Sequence, residues 1–177
     1  MNETMKTELY WIDGAWPGKV TIVPRPRGGE WLADEVQAWR QAGLDAVVSL
    51  LTREEGADLD LAHEAEVSQA RDLQFIAFPI PDRSVPLSRR ATLELLRELH
   101  QLLVKGKNVG IHCRQGIGRS AVVAACLLIF LGIEPEVAFQ HISAARGCTI
   151  PETAEQRDWV LAFARELQYT SRISHSA

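Results

Sequence analysis

The chain has 177 residues, 46% of them hydrophobic and 24% charged, the balance of an ordinary globular domain long enough to bury a core. Its 19 Lys and Arg against 23 Asp and Glu leave a net charge of −4, which argues against general nucleic-acid or anionic-membrane binding. The longest apolar run, Ala121 to Leu131, is far short of the roughly 20 residues that span a bilayer, and the opening MNETMKTELYW lacks the basic, then apolar, then small order of a signal peptide.

In chain order, ELYWI and KVTIV read as a short strand pair around the turn DGAWPG. EWLADEVQAWRQAG carries Leu32, Val36 and Trp39 at helical spacing and stops at Gly43. DAVVSLL is a continuous apolar run, as expected of a strand buried on both faces. The acidic patch REEGADLD then reads as a polar face or loop, residues from about Leu61 to Arg71 as a helix, and LQFIAF as the next strand. After a proline-punctuated loop, PIPDRSVP, a helix places Leu93, Leu96, Leu99 and Leu103 on one face and ends at Gly106.

NVGIHC is a strand, and Arg119 to Leu131 a buried helix. Two further helices, EPEVAFQHISAARG and PETAEQRDWVLAFARELQ, each have proline near the first turn, where its missing N–H costs nothing. The tail at 171–177 is polar and expected to fray. Strands separated by helices predict a single α/β domain over residues 1–170, a central, mainly parallel sheet with helices on both faces.

Cys113, Cys126 and Cys148 are odd in number, irregular in spacing and without a C-x-x-C pair, which favours neither a disulfide framework nor a zinc site. A reduced, cytoplasmic setting is expected. Cys126 belongs in the buried helix, and Cys148 reads as a partly buried thiol, with a protective disulfide to Cys113 as the rarer alternative.

HCRQGIGRS lies between the end of a strand and the start of a helix, where open α/β sheets bind ligands. Successive amides of Arg114, Gln115, Gly116, Ile117 and Gly118, with the helix N-terminus, would form an anion cradle around Cys113. Such a field stabilises a thiolate. Arg119 would reach back as a planar fork for two phosphoryl oxygens, and Ser120 would donate a hydrogen bond to the sulfur. His112 reads as a hydrogen-bonding residue that orders the loop rather than as a base.

Cys113-x5-Arg119-Ser120, preceded by His112, closely resembles the phosphate-binding loop of the cysteine-dependent protein phosphatases. Within it, Cys-x-x-Gly-x-Gly-Arg-Ser is similar to that of the dual-specificity group, most of all its compact bacterial and kinase-associated members. FPIPDRSVP resembles the general-acid loop of that family, which makes Asp82 the implied acid, 31 residues before the cysteine. TIPETAEQRDW is similar to the segment that supplies a glutamine near the attacking water. Gln156 matches it, with a water-positioning role and a solvated helix residue both open. Glu152 stands where the larger tyrosine phosphatases have a first glutamine. The likeness covers roughly residues 40 to 165.

The resemblance implies a protein phosphatase that works through a cysteinyl-phosphate and needs neither metal nor other cofactor. It implies a phosphorylated protein or peptide as partner. Phosphotyrosine is the expected substrate. Phosphoserine and phosphothreonine are open to it too, since only Tyr10 and Tyr169 exist and no tyrosine-bearing loop deepens the pocket. Phosphoinositide phosphatases commonly carry lysines inside the loop, whereas Arg114 is the only added charge here. Lipid hydrolysis is therefore the weaker alternative, alongside a phosphate-recognition module without turnover.

Overall fold

The computed structural model describes residues 7–14 and 16–175. Its strands are β1 (Tyr10–Ile12), β2 (Val20–Ile22), β3 (Ala46–Ser49), β4 (Gln74–Ala77) and β5 (Val109–His112), each within a run anticipated from its apolar residues. They form one sheet in the order β1-β2-β5-β3-β4. β2, β5, β3 and β4 are parallel, and β1 pairs antiparallel with β2 at the edge.

Residues of one strand alternate between two cores, as the pleat requires. Ala46 and Val48 join Val109 and Ile111 in a core beneath the helices α4 (Arg89–Val104), α5 (Arg119–Phe130), α6 (Pro135–Arg146) and α7 (Ala154–His175). Val47 packs on the opposite face with Leu32, Val36 and Trp39 of α1 (Leu32–Gln41), and Val67 of α3 (Glu64–Gln69) lies against the same core. Helices thus cover both faces.

α5 is buried on nearly all sides: ten of its twelve residues are inaccessible, and α4, α6 and α7 all pack on it. A helix apolar all round is stable only in such a place. Truncating Leu127 or Leu128 there would cost about 2–5 kcal/mol.

The sheet order also determines where a ligand can sit. β3 and β5 are adjacent and parallel, yet the chain leaves β3 for the α1 side and leaves β5 for α5 on the other. Their carboxyl ends therefore diverge into a crevice, the usual binding place in such sheets.

Several elements differ from their sequence readings. REEGADLD, read as a polar face or loop, is the mostly polar helix α2 (Arg53–Asp58) with Glu55 buried: Thr52 caps it through a capping box in which the Glu55 carboxyl accepts the Thr52 N–H. The helix expected over Leu61–Arg71 contracts to α3. On α4, Thr92 and Leu95 are buried with Leu96, Leu99 and Leu103, while Leu93 is only half-buried. Pro135 begins α6 as expected, but Pro151, after a cis peptide bond, precedes α7 by three residues. α7 runs on to His175, into the stretch expected to fray. Residue 15, inside the DGAWPG turn, lies outside the described residues.

Candidate active site

Three loops at the carboxyl edge of the sheet meet in one cleft of about 370 Å³, counted out to open solvent. β3 leads to Glu55, β4 to Asp82, and β5 directly to Cys113 and Arg119. Asp82, Arg83, Cys113, Arg114, Gln115, Gly118, Arg119 and Glu152 line it.

Cys113 follows the central strand and is buried, its Sγ accepting the Gly116 N–H at 3.1 Å. That inward turn requires Gly116 at φ +73°, where a side chain would also press on Ile22. Gly118 serves by closeness instead: a Cβ there would lie 2.7 Å from Glu152 Oε2 and 3.0 Å from Gln156 Nε2.

Arg119 is 2% exposed and held on every side. Its Nη1 and Nη2 donate to Glu55 Oε2 and Oε1 at 2.7 and 2.8 Å, a bidentate fork. Nη1 also donates to the Ile80 carbonyl at 2.8 Å, and Nη2 lies 3.1 Å from Asp82 Oδ1. Burial alone would lower the basicity of Arg119, but the Glu55 bond and the charges of Cys113, Glu55 and Asp82 hold it above its ordinary value. Burial alone would raise the Glu55 carboxyl; Arg119 and the Thr52 N–H outweigh it and hold Glu55 below the usual range.

Beneath the loop, His112 is fully buried, with Nε2 2.6 Å from Glu64 Oε1 and Nδ1 3.4 Å from the Cys113 carbonyl. Trp39 packs beside the ring. Ser120 departs from expectation. Its hydroxyl is buried at the start of α5 with no hydrogen-bond partner among the described residues, so it makes no bond to the sulfur, which takes its bond from Gly116.

Gln156 is not a solvated helix residue. It is fully buried, closes a capping box with Thr153 at the start of α7, and donates from Nε2 to the Ser84 carbonyl at 3.1 Å. Nearby, Arg83 Nη1 meets Glu152 Oε1 at 2.8 Å. Two contacts thus tie the 79–88 loop to the entrance of α7.

Of the 113–118 residues, Cys113, Arg114, Gln115 and Gly118 line the cleft, and Arg114 reaches within 4.0 Å of Glu55. Ile117 lines no part of it. Cys148 is exposed and Cys126 buried, where burial pushes its thiol far up; no disulfide forms among the described residues.

Sequence reasoning missed Glu55, Glu64 and Arg146. Only Glu55 left a local signal, the Thr52-x-x-Glu55 capping box directly after a strand. Arg146, at the end of α6, donates to two carbonyls of the 113–119 loop.

A parallel sheet with this Cys-to-Arg loop between its central strand and a buried helix is the arrangement of the cysteine-dependent phosphatases of the dual-specificity group. A family model described as "Polymorphic toxin system, DSP-PTPase phosphatase" matches residues 23–133, and the chain belongs to that family.

The chain is 28% identical over 135 residues to cyclin-dependent kinase inhibitor 3 of Rattus norvegicus, covering 75% of this chain and 63% of that one; it therefore spans about three fifths of that relative's length. Among solved structures, kinase associated phosphatase with serine in place of its catalytic site cysteine superposes with a TM-score of 0.81 at 21% identity, over 94% of this chain and 98% of that one. Tk-PTP in its active form superposes with a TM-score of 0.70 at 28% identity, over 94% and 99%. No helix among the described residues is long and apolar enough to cross a membrane.

Proposed function

We propose that this protein is a dual-specificity-like phosphatase that hydrolyses phosphotyrosine, and phosphoserine and phosphothreonine in the same open cleft, on protein or peptide substrates. One observation carries the reading: Arg119, locked by Glu55, lines a single cleft with the Cys113 loop and Asp82.

The Cys113 thiolate attacks phosphorus in line, and the phosphorus–oxygen bond of the ester breaks as the sulfur–phosphorus bond forms. Loop amides from Arg114 to Gly118, with the Nη2 side of Arg119 that faces Asp82, hold the three equatorial oxygens. Asp82, which lines the cleft, gives its proton to the leaving oxygen. Water then attacks the cysteinyl-phosphate, giving its proton to Asp82 and releasing phosphate and thiolate.

Gln156 is assigned to orient this water or the loop around it, and His112 to hold the strand end through Glu64. The Ser120 hydroxyl, buried without a partner among the described residues, is assigned as a donor in reserve for the departing sulfur. Positive charge from Arg119 and the loop stands in for the metal of other phosphoryl transfers, so the proposed reaction uses none. A reducing, cytoplasmic setting would keep Cys113 competent.

The test is metal-free phosphate release from matched phosphotyrosine, phosphothreonine and phosphoinositide substrates by wild type, Cys113→Ser and Asp82→Asn. Turnover abolished in Cys113→Ser supports the covalent route, and turnover retained there ends it. A wild type that binds phosphopeptide without turnover is a recognition module, and preference for the phosphoinositide makes it a lipid phosphatase.

A further inference from the structure

We infer that Arg146 is a positioning residue that sets the anion cradle from outside, by fixing which way two consecutive peptide planes of the loop face. The inference rests on the phosphate chemistry proposed above.

Arg146 is half-buried in the last turn of α6, 27 residues beyond Arg119 in the chain. Its Nε donates to the Gly116 carbonyl at 2.9 Å, and its Nη2 to the Gln115 carbonyl at 3.3 Å. Both acceptors belong to the segment that must bind an anion, yet Arg146 lies outside the cleft lining.

A trans peptide is planar, with its N–H and C=O on opposite sides. The Gln115 carbonyl shares its plane with the Gly116 N–H, which donates inward to Cys113 Sγ. Holding that carbonyl outward therefore holds this N–H inward. The Gly116 carbonyl shares its plane with the Ile117 N–H, which by the same geometry points away from Arg146. One guanidinium thus orients two successive donors without touching the anion.

Such a hold is needed at this position. Gly116 sits at φ +73°, and a glycine between two peptide planes lets either one rotate at little steric cost. A rotated plane would turn a carbonyl oxygen toward the sulfur and the phosphate, replacing an attractive dipole with a repulsive one. A cation behind the carbonyls disfavours that state, because each rotation would strip it of a charge-assisted bond.

Arg146 is itself fixed. Its guanidinium stacks 4.0 Å over the ring of Tyr10 on β1, and α6 packs on that strand. The device therefore links the antiparallel edge strand to the loop beside the central one.

The experiment is titration of inorganic phosphate into wild type, Arg146→Ala and Arg146→Lys, read by calorimetry, with thermal melting of each and kcat and KM on an aryl phosphate. Arg146→Ala should bind phosphate about tenfold or more weakly, the scale of one lost charge-assisted bond. Lysine, with a single donor centre, should recover part of the loss, and added guanidinium ion should partly restore turnover to the alanine variant, which a purely structural defect would not allow. If Arg146→Ala fails to fold, the lysine variant carries the test through its phosphate affinity. Unchanged affinity in a folded variant overturns the clamp while the proposed activity stands. Wild type that binds no phosphate overturns the proposed function, and the clamp with it.

Discussion

Glu55 and Arg119, 64 residues apart in sequence, form a two-bond fork at 2.7 and 2.8 Å in which both side chains are buried. The pair aligns the guanidinium plane. It also leaves the Nη2 side facing Asp82, where a phosphoryl group is proposed to bind. Removing one partner of a buried pair leaves the other charge unanswered, a cost of about 3–5 kcal/mol. Glu55→Ala should lose about 3 kcal/mol in urea unfolding, the low end because Arg119 keeps the Ile80 carbonyl and Asp82. Its KM for aryl phosphates should rise as well. A variant as stable and as active as wild type would deny the pair its role.

The same pair gives acid sensitivity with a defined sign. Glu55 titrates below its ordinary 4.5 in the folded protein, so the unfolded chain binds its proton first as the pH drops. Its contribution is complete above about 4.5 and fades as pH falls through the depressed folded value. Glu55→Gln, measured by chemical unfolding at a series of acidic pH values, should have a flatter stability profile below about 4.5 than wild type.

Asp82→Asn removes the proposed proton donor. Positioned acid catalysis is worth about 10²–10⁴-fold, and leaving groups that depart poorly need it most. The loss should therefore be large for phosphoserine and phosphothreonine and small for activated aryl phosphates. A leaving-group series with equal losses throughout would point to an electrostatic role beside Arg119 rather than proton transfer.

Gly116→Ala should destabilise by about 1–2 kcal/mol through its left-handed backbone. Its Cβ would also lie 3.1 Å from Ile22 Cγ2, so thermal melting should fall together with phosphate affinity.

Ser120→Ala deletes a buried hydroxyl that has no partner, so stability should be unchanged or up to about 1 kcal/mol higher. If that hydroxyl assists the departing sulfur, rapid-mixing kinetics should show an intact first burst followed by a slower steady state. Slowing of both phases alike would remove Ser120 from the second step.

Much of this was legible in the sequence because it depended on local pattern. DAVVSLL and NVGIHC declare buried strands by composition, and Cys113, Arg119 and Gly116 declare a loop by spacing. The cleft residue Asp82 followed from its resemblance to a known acid loop, not from its proline-rich turn alone. Glu55 was hidden among exposed acidic neighbours, because what buries it is an arginine 64 residues on. Glu64 was hidden likewise, its partner being His112. Arg146 stands at the end of a helix, and its acceptors are backbone atoms, which carry no sequence signal at all. The expected Ser120–sulfur bond does not form: the sulfur takes its bond from the Gly116 amide, and the Ser120 hydroxyl is buried without a partner among the described residues.

The bond from Gln156 to the Ser84 carbonyl fastens the loop bearing Asp82 to a helix of 22 residues, a rod of roughly 33 Å. Trp159 and Phe163 stack on one another along that rod, and Phe163 is rooted in the core. Lifting that loop would require the Gln156–Ser84 bond and the Arg83–Glu152 pair to break. Opening of this kind is a rate process, and such steps set the pace of many enzymes. If product leaves by that route, how long it lingers depends on how often both ties let go.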